Sequence, residues 1–114
     1  MTKQLTTNDI VKKLNNGMID DPNELSKYLI ILSASLYQGG LMETKTQIAY
    51  AKKWEDKRLE CKTDRACDMA IMNEPEYWEW QKARTAVRAI IEIIRAIKKR
   101  LQNLSDEMSS GQNY

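Results

Sequence analysis

From Trp80 onward, apolar residues fall at Trp80, Ala83, Val87, Ile90, Ile94, Ile97, Leu101, Leu104 and Met108, with spacings that alternate between three and four. An unbroken heptad seam of this length does not suit a strand, whose side chains alternate with period two. It calls for a long helix with a partner along one face. Ile91 and Ile93 widen the apolar stripe at its middle, beyond what a two-stranded coil needs, so more than one partner helix is expected. Asn73-Glu74-Pro75 opens the helix. A polar cap followed by Pro suits a first helical position, where the missing N–H would have no partner anyway. The pattern predicts a helix over 75–108, followed by a loose tail at 109–114.

The same cap-then-Pro signal recurs at Asp21-Pro22. Leu25, Leu29, Leu32 and Leu36 follow at helical spacing, and then Gly39-Gly40 intervenes. Two glycines cost about 2 kcal/mol of helix propensity relative to Ala, so the pair could end the helix, bend it or mark a close crossing. Beyond it the apolar phase is read as resuming at Leu41, Ile48 and Ala51, with Thr44 between them. One long helix over 21–62 is expected, with a bend at Gly39-Gly40 left open. Residues 63–74 form a connector, with Ala66, Met69, Ala70 and Ile71 suggesting a short helix. Residues 1–20 form a short N-terminal helix or arm. Thr6 or Thr7 caps it, Ile10, Val11 and Leu14 give it a small apolar face, and Asn15-Asn16-Gly17 stops it.

No segment alternates as a strand does, and four Gly and two Pro are few for a sandwich or barrel. The expected fold class is all-α: an antiparallel long-helix hairpin with a short N-terminal helix, forming one domain over 1–114. A lone hairpin leaves its wide stripe uncovered. The chain is therefore expected to assemble as a helical-bundle or coiled-coil homo-oligomer through Val87, Ile90, Ile91, Ile94, Ile97, Leu101 and Leu104. The alternative is a monomeric three-helix bundle in which the first helix folds over the seam.

The chain has no His, which removes the commonest general base and metal ligand. It has no Gly-rich phosphate loop and no nucleophile–base pair. A non-enzymatic protein is expected, with no catalytic residue, metal or cofactor. Cys61 and Cys67 are too few for a disulfide framework and lack partners for zinc, so both are expected to be ordinary reduced residues. The longest uncharged stretch, Tyr28 to Met42, is shorter than a membrane span, and no signal peptide is visible. No membrane role is expected, and the cytoplasm of a bacterial host is the expected location.

The formal charge is only +2, but it is unevenly spread. Within 82–100, Lys82, Arg84, Arg88, Arg95, Lys98, Lys99 and Arg100 face only Glu92. Arg84, Arg88, Arg95 and Lys99 fall within about 60° of one another on a helix. Such a stripe suits a phosphate chain. It could equally be a solvated flank paired with Glu43, Glu55, Asp56 and Glu60 of the long helix. The aromatics Tyr50, Trp54, Tyr77, Trp78 and Trp80 converge on the connector end, among Lys52, Lys53, Lys57, Arg58, Lys62 and Arg65. Rings interleaved with cations suit single-stranded nucleic acid, whose bases stack and whose phosphates pair. The other reading is a plug that closes the hairpin, with Trp80 in the core and Trp78 the most exposed. The candidate nucleic-acid contacts are Lys52, Lys53, Trp54, Lys57, Arg58, Trp78, Arg84, Arg88, Arg95 and Lys99.

From Asp21-Pro22 to about Leu104, the chain resembles the small all-helical accessory proteins of phage recombination and replication, in particular recombination mediators of the UvsY type. The resemblance rests on the long helix with Tyr28 and Tyr37, its Lys- and Glu-rich second half, the connector ending Asn73-Glu74-Pro75-Glu76-Tyr77, and the closing heptad helix. It implies an oligomer that binds single-stranded DNA and helps a recombinase or annealing protein displace single-strand-binding protein. Gly39-Gly40 and the two cysteines have no counterpart in that pattern. The alternatives are a small phage protein that inhibits or adapts a host enzyme without binding nucleic acid, and a coiled-coil spacer.

Overall fold

In the computed structural model, residues 5–16 and 21–112 are described. The expected stop at Gly17, the first four residues of the expected N-terminal arm and the last two of the expected loose tail lie outside them. The described residues form four helices: α1 (Thr7–Asn16), α2 (Pro22–Arg58), α3 (Asp64–Ile71) and α4 (Pro75–Gln112). The fold is all-α.

Each start has a local cause. Thr6 and Asp9 cap α1 reciprocally: Asp9 N–H donates to Thr6 Oγ1 at 3.2 Å and Thr6 N–H to Asp9 Oδ2 at 3.0 Å. Asp21 Oδ1 accepts from Asn23 N–H at 3.0 Å ahead of α2. Thr63, in an extended conformation, caps α3 by accepting from Ala66 N–H at 3.1 Å. α2 ends at Arg58, four residues before the expected 62. There the backbone tightens into turns, with Glu60 N–H on Lys57 O and Cys61 N–H on Arg58 O, and the Arg58 guanidinium takes up the Cys61 carbonyl at 2.6 Å. α4 runs past the expected 108 to Gln112.

Contacts group the chain into two compact units, residues 1–36 with 89–114, and residues 37–88. In the first, Ile10, Leu25, Tyr28, Leu32, Ile97 and Leu104 are buried together, flanked by Leu14, Leu29, Ile31, Ile90, Ile93, Ile94 and Leu101. Full burial of one such side chain contributes about 1.5–3 kcal/mol. Pro22 shares a surface recess with Leu101, Leu104, Ser105 and Met108, so α2 and α4 run antiparallel here. The Tyr28 hydroxyl donates to the Glu24 carboxylate one turn back. Burial, then that bond and the Glu24 charge, push its pKa up to about 12.

In the unit 37–88, α2 and α4 are again antiparallel: Gly39 lies against Val87, and Tyr50 against Trp80 and Tyr77. Gly39 and Gly40 both lie inside α2 and neither has a left-handed backbone, so the pair does not interrupt the helix. The reason for Gly39 is space: a Cβ there would stand 3.2 Å from Val87 Cγ2. The buried Thr46 hydroxyl is satisfied within its own helix by Met42 O at 2.8 Å and Glu43 O at 3.0 Å. The reading of Leu41, Ile48 and Ala51 as a resumed core phase needs correction. All three are exposed, and the residues turned inward are Gly39, Thr46 and Tyr50. An inward phase of glycine and threonine carries little hydrophobic signal, whereas the outward phase is apolar.

Candidate nucleic-acid interface

The aromatics of the unit 37–88 form one connected cluster. Tyr50 stacks on Trp80 with centroids 4.5 Å apart, Tyr77 tilts against Tyr50 at 6.2 Å, and Trp78 meets Tyr77 edge-on at 5.1 Å. The Arg84 guanidinium lies 4.8 Å over the Trp80 ring, within cation–π range. Trp80 is half-buried and its indole N–H finds no acceptor. Burial, with smaller contributions from Asp68, Tyr77 and Cys67, pushes the Tyr50 hydroxyl pKa up. The other two indoles are anchored by their N–H edges: Trp54 to Asp68 Oδ1 and Trp78 to Met72 O, each at 2.8 Å. Trp54 is half-buried. Trp78 is 53% exposed and presents ring surface to solvent. Tyr50, Ala51, Trp54 and Glu55 line a shallow recess of about 290 Å³ on α2.

Three of the six cations expected at this end already have acidic partners. Glu74 holds Lys57 at 3.0 Å and Lys53 at 3.8 Å. The Lys57 hydrogen bond keeps the Glu74 carboxyl below the ordinary glutamate range against a partial desolvation, and Glu74 in turn raises the Lys57 ammonium. Arg58 pairs with Asp64 at 2.7 Å while its Nη1 donates to Cys61 O. Lys53, Lys57 and Arg58 thus tie the end of α2 to the flanks of α3. Lys52 and Arg88 are exposed, and among the described residues neither makes an ion pair.

In the other unit, Arg95 is exposed and pairs with Glu92 of its own helix at 2.8 Å. Lys98 and Lys99 are exposed and make no ion pair among the described residues. The acids considered as partners for the stripe, Glu43, Glu55, Asp56 and Glu60, make no such pair either. The acids that take up candidate contacts are Glu74 for Lys53 and Lys57, Asp64 for Arg58 and Glu92 for Arg95.

The heptad residues of α4 largely serve the chain itself. Ile97 and Leu104 are core residues, Ile90, Ile94 and Leu101 are half-buried against that core, Val87 faces Gly39, and Ile91 is half-buried. Of the seam, Met108 is exposed, and other apolar side chains are left in solvent on α2. In the unit 37–88 Tyr37, Leu41 and Ile48, four and seven residues apart, form an exposed lane beside the exposed Met42, and Ile30 of the other unit is 73% exposed. The sequence carried the signal for this lane, a second apolar phase at 37, 41, 48 and 51, rotated away from that of Leu25, Leu29 and Leu32.

Among the described residues no group of three or more Cys, Asp or Glu is placed to hold a metal ion, and no helix is long and apolar enough to cross a membrane. No protein family, curated relative or solved structure matches this chain.

Proposed function

We propose that this chain is a non-enzymatic accessory protein of phage or prophage DNA metabolism that self-associates and holds single-stranded DNA, as a recombination mediator does. One observation carries the reading: on α4, Arg88, Lys98 and Lys99 stand in solvent without an acidic partner, while Lys53, Lys57 and Arg58 near the connector are paired. Unpaired cations release counterions when they meet phosphates, and paired ones must first give up a carboxylate. Arg88 and Lys99 are therefore the principal phosphate contacts, with Arg95, Arg84 and Lys52 as supports. The exposed face of Trp78 is a surface on which a base can stack. Self-association uses the half-buried edge of Ile90, Ile91, Ile94 and Leu101, backed by Ile97 and Leu104, and multiplies weak contacts into avidity. The expected partners are further copies of this chain and a recombinase, annealing protein or single-strand-binding protein, in the cytoplasm of a bacterial host.

The test is titration of a fluorescent single-stranded oligonucleotide at several salt concentrations, with light scattering on the same samples. Losing two phosphate contacts in Arg88→Glu/Lys99→Glu reduces the salt slope by about 1.4 for a single strand. A folded double variant with wild-type affinity and slope removes the reading.

The exposed Tyr37, Leu41 and Ile48 favour a second reading, an adaptor or inhibitor that grips a protein through α2. Its signature is a discrete complex that survives high salt, with no DNA binding at low salt.

A further inference from the structure

In the unit 37–88 the outward face of α2 carries a second heptad lane. Tyr37, Leu41, Thr44, Ile48 and Ala51 follow one another at spacings of 4, 3, 4 and 3, and all five are exposed. At 100° per residue they fall within about 80° of one another, along about 21 Å of helix. Such a strip suits the knobs of a partner helix. Its margins differ in charge. Lys45 and Lys52, one heptad apart, stand along one side, exposed and without an ion pair among the described residues. Gln47 and Gly40 border the other side, and a Cβ at Gly40 would meet nothing within 4 Å. At Ala51 the lane opens into the recess lined by Tyr50, Ala51, Trp54 and Glu55, about 290 Å³ in volume. The walls of that recess are held from behind: Tyr50 stacks on Trp80, and the Trp54 indole donates to Asp68. The Glu55 side chain is exposed and makes no ion pair among the described residues.

We propose that this lane is the docking site for an amphipathic helix of another protein, apolar at heptad spacing, acidic on its flanks and carrying an Arg at its end. The inference rests on the adaptor reading of α2 and specifies the chemistry of the partner. Apolar knobs of that helix cover Leu41 and Ile48, and its acids meet Lys45 and Lys52. Its Arg enters the recess, with the guanidinium over the Trp54 ring and within reach of the Glu55 carboxylate. A second copy of this chain fits worse in either direction. Antiparallel pairing on the lane brings two Lys45 side chains together. Parallel pairing brings together two Glu55, the next position of the same seam after Ala51. Like charges oppose both arrangements.

The experiment titrates the full chain into a fluorescent helical peptide of about three heptads, with Leu at the seam, Glu on both flanks and Arg at both ends. A second peptide has Lys on the flanks and Glu at the ends. Neither titration contains nucleic acid, so the outcome is separate from that of the DNA reading. The expected result is about tenfold tighter binding of the Glu-flanked peptide, because each surface pair turns from repulsion to attraction. Lys45→Glu/Lys52→Glu inverts the order. Leu41→Asp, at an exposed position where circular dichroism should show an intact helix, weakens binding of both peptides. Equal affinity for two peptides that both depend on Leu41 overturns the charged partner and leaves the adaptor reading standing. Binding that ignores Leu41→Asp, or no binding of either peptide, overturns both. Self-association of the chain alone that Leu41→Asp abolishes in light scattering overturns the proposal by giving the lane to a second copy. Loss of single-stranded DNA binding in folded Leu41→Asp, measured separately, overturns it by giving the lane to nucleic acid.

Discussion

Gly39 and Gly40 are adjacent in one helix and differ in one respect: the space beside them. Neither has a left-handed backbone, so alanine is conformationally allowed at both. A Cβ at Gly40 meets nothing within 4 Å. Gly40→Ala therefore collects the full helix-propensity gain of about 0.8–1.0 kcal/mol. In a chain of this length that corresponds to a rise in Tm of about 4 °C. A Cβ at Gly39 stands 3.2 Å from Val87 Cγ2, so the half-buried valine must yield by a few tenths of an ångström. Overpacking of this sort costs about 1 kcal/mol at its mild end, which offsets the propensity gain and leaves Gly39→Ala near wild type. Removing the obstructing methyls should release the gain. A double-mutant cycle between Gly39→Ala and Val87→Ala should show a favourable coupling of about 1 kcal/mol. Urea unfolding followed by circular dichroism reads all four proteins. Equal stabilisation by the two alanines would mean that α4 does not approach α2 at Gly39. No stabilisation at Gly40 would mean that it is not an open helical position.

Three further outcomes are expected. Ile97→Ala, at a position 1% exposed, should cost about 2–5 kcal/mol in denaturant unfolding, and a loss below that range would take Ile97 out of the core. Glu74→Gln should destabilise the chain at neutral pH. Because the folded Glu74 pKa lies below its unfolded value, its contribution is present above about 4.3 and fades as pH falls through the folded value, so wild type and variant should converge in acid. A gap that persists to low pH would deny the ion pairs with Lys53 and Lys57. In alkaline absorbance titration, the Tyr28 hydroxyl should ionise near pH 12, and Tyr28→Phe should remove that step. Burial raises this acid, so its contribution is whole below about 10 and is lost as pH climbs through 12.

Helix starts were the most legible part of the fold, because each is encoded within a few residues: Thr6 with Asp9, Asp21-Pro22, Thr63 and Pro75. The end of α2 was less so. Its stop at Arg58 depends on a guanidinium reaching Cys61 O and Asp64, a contact that no propensity scale contains. The glycine pair was ambiguous for a similar reason, since the value of a missing Cβ at Gly39 is set by Val87, far along the chain. Basic residues of the candidate interface were visible as charge, but their availability was not. Glu74, in the connector, claims Lys53 and Lys57, while Glu43 and Glu55 on α2 itself claim neither. The heptad seam correctly marks a helix face that needs partners. It does not say whose side chains supply them, and Ile97 and Leu104 find theirs in Ile10, Leu25, Tyr28 and Leu32.

The division of the chain sets an order of events during synthesis. Residues 37–88 are contiguous, so every side chain that unit needs, from Gly39 to Val87, exists once Arg88 has been added. The other unit closes across the whole of that insert, with Ile10, Leu25 and Leu32 having no core until Ile97 and Leu104 are made. A nascent chain therefore carries the small apolar face of α1 and a leucine-rich start of α2 without their burial partners while the middle already folds. A chain arrested after Arg88 should hold an ordered middle and protease-sensitive residues in α1 and in α2 up to Leu36, and translation of residues 89–104 should protect those two segments together.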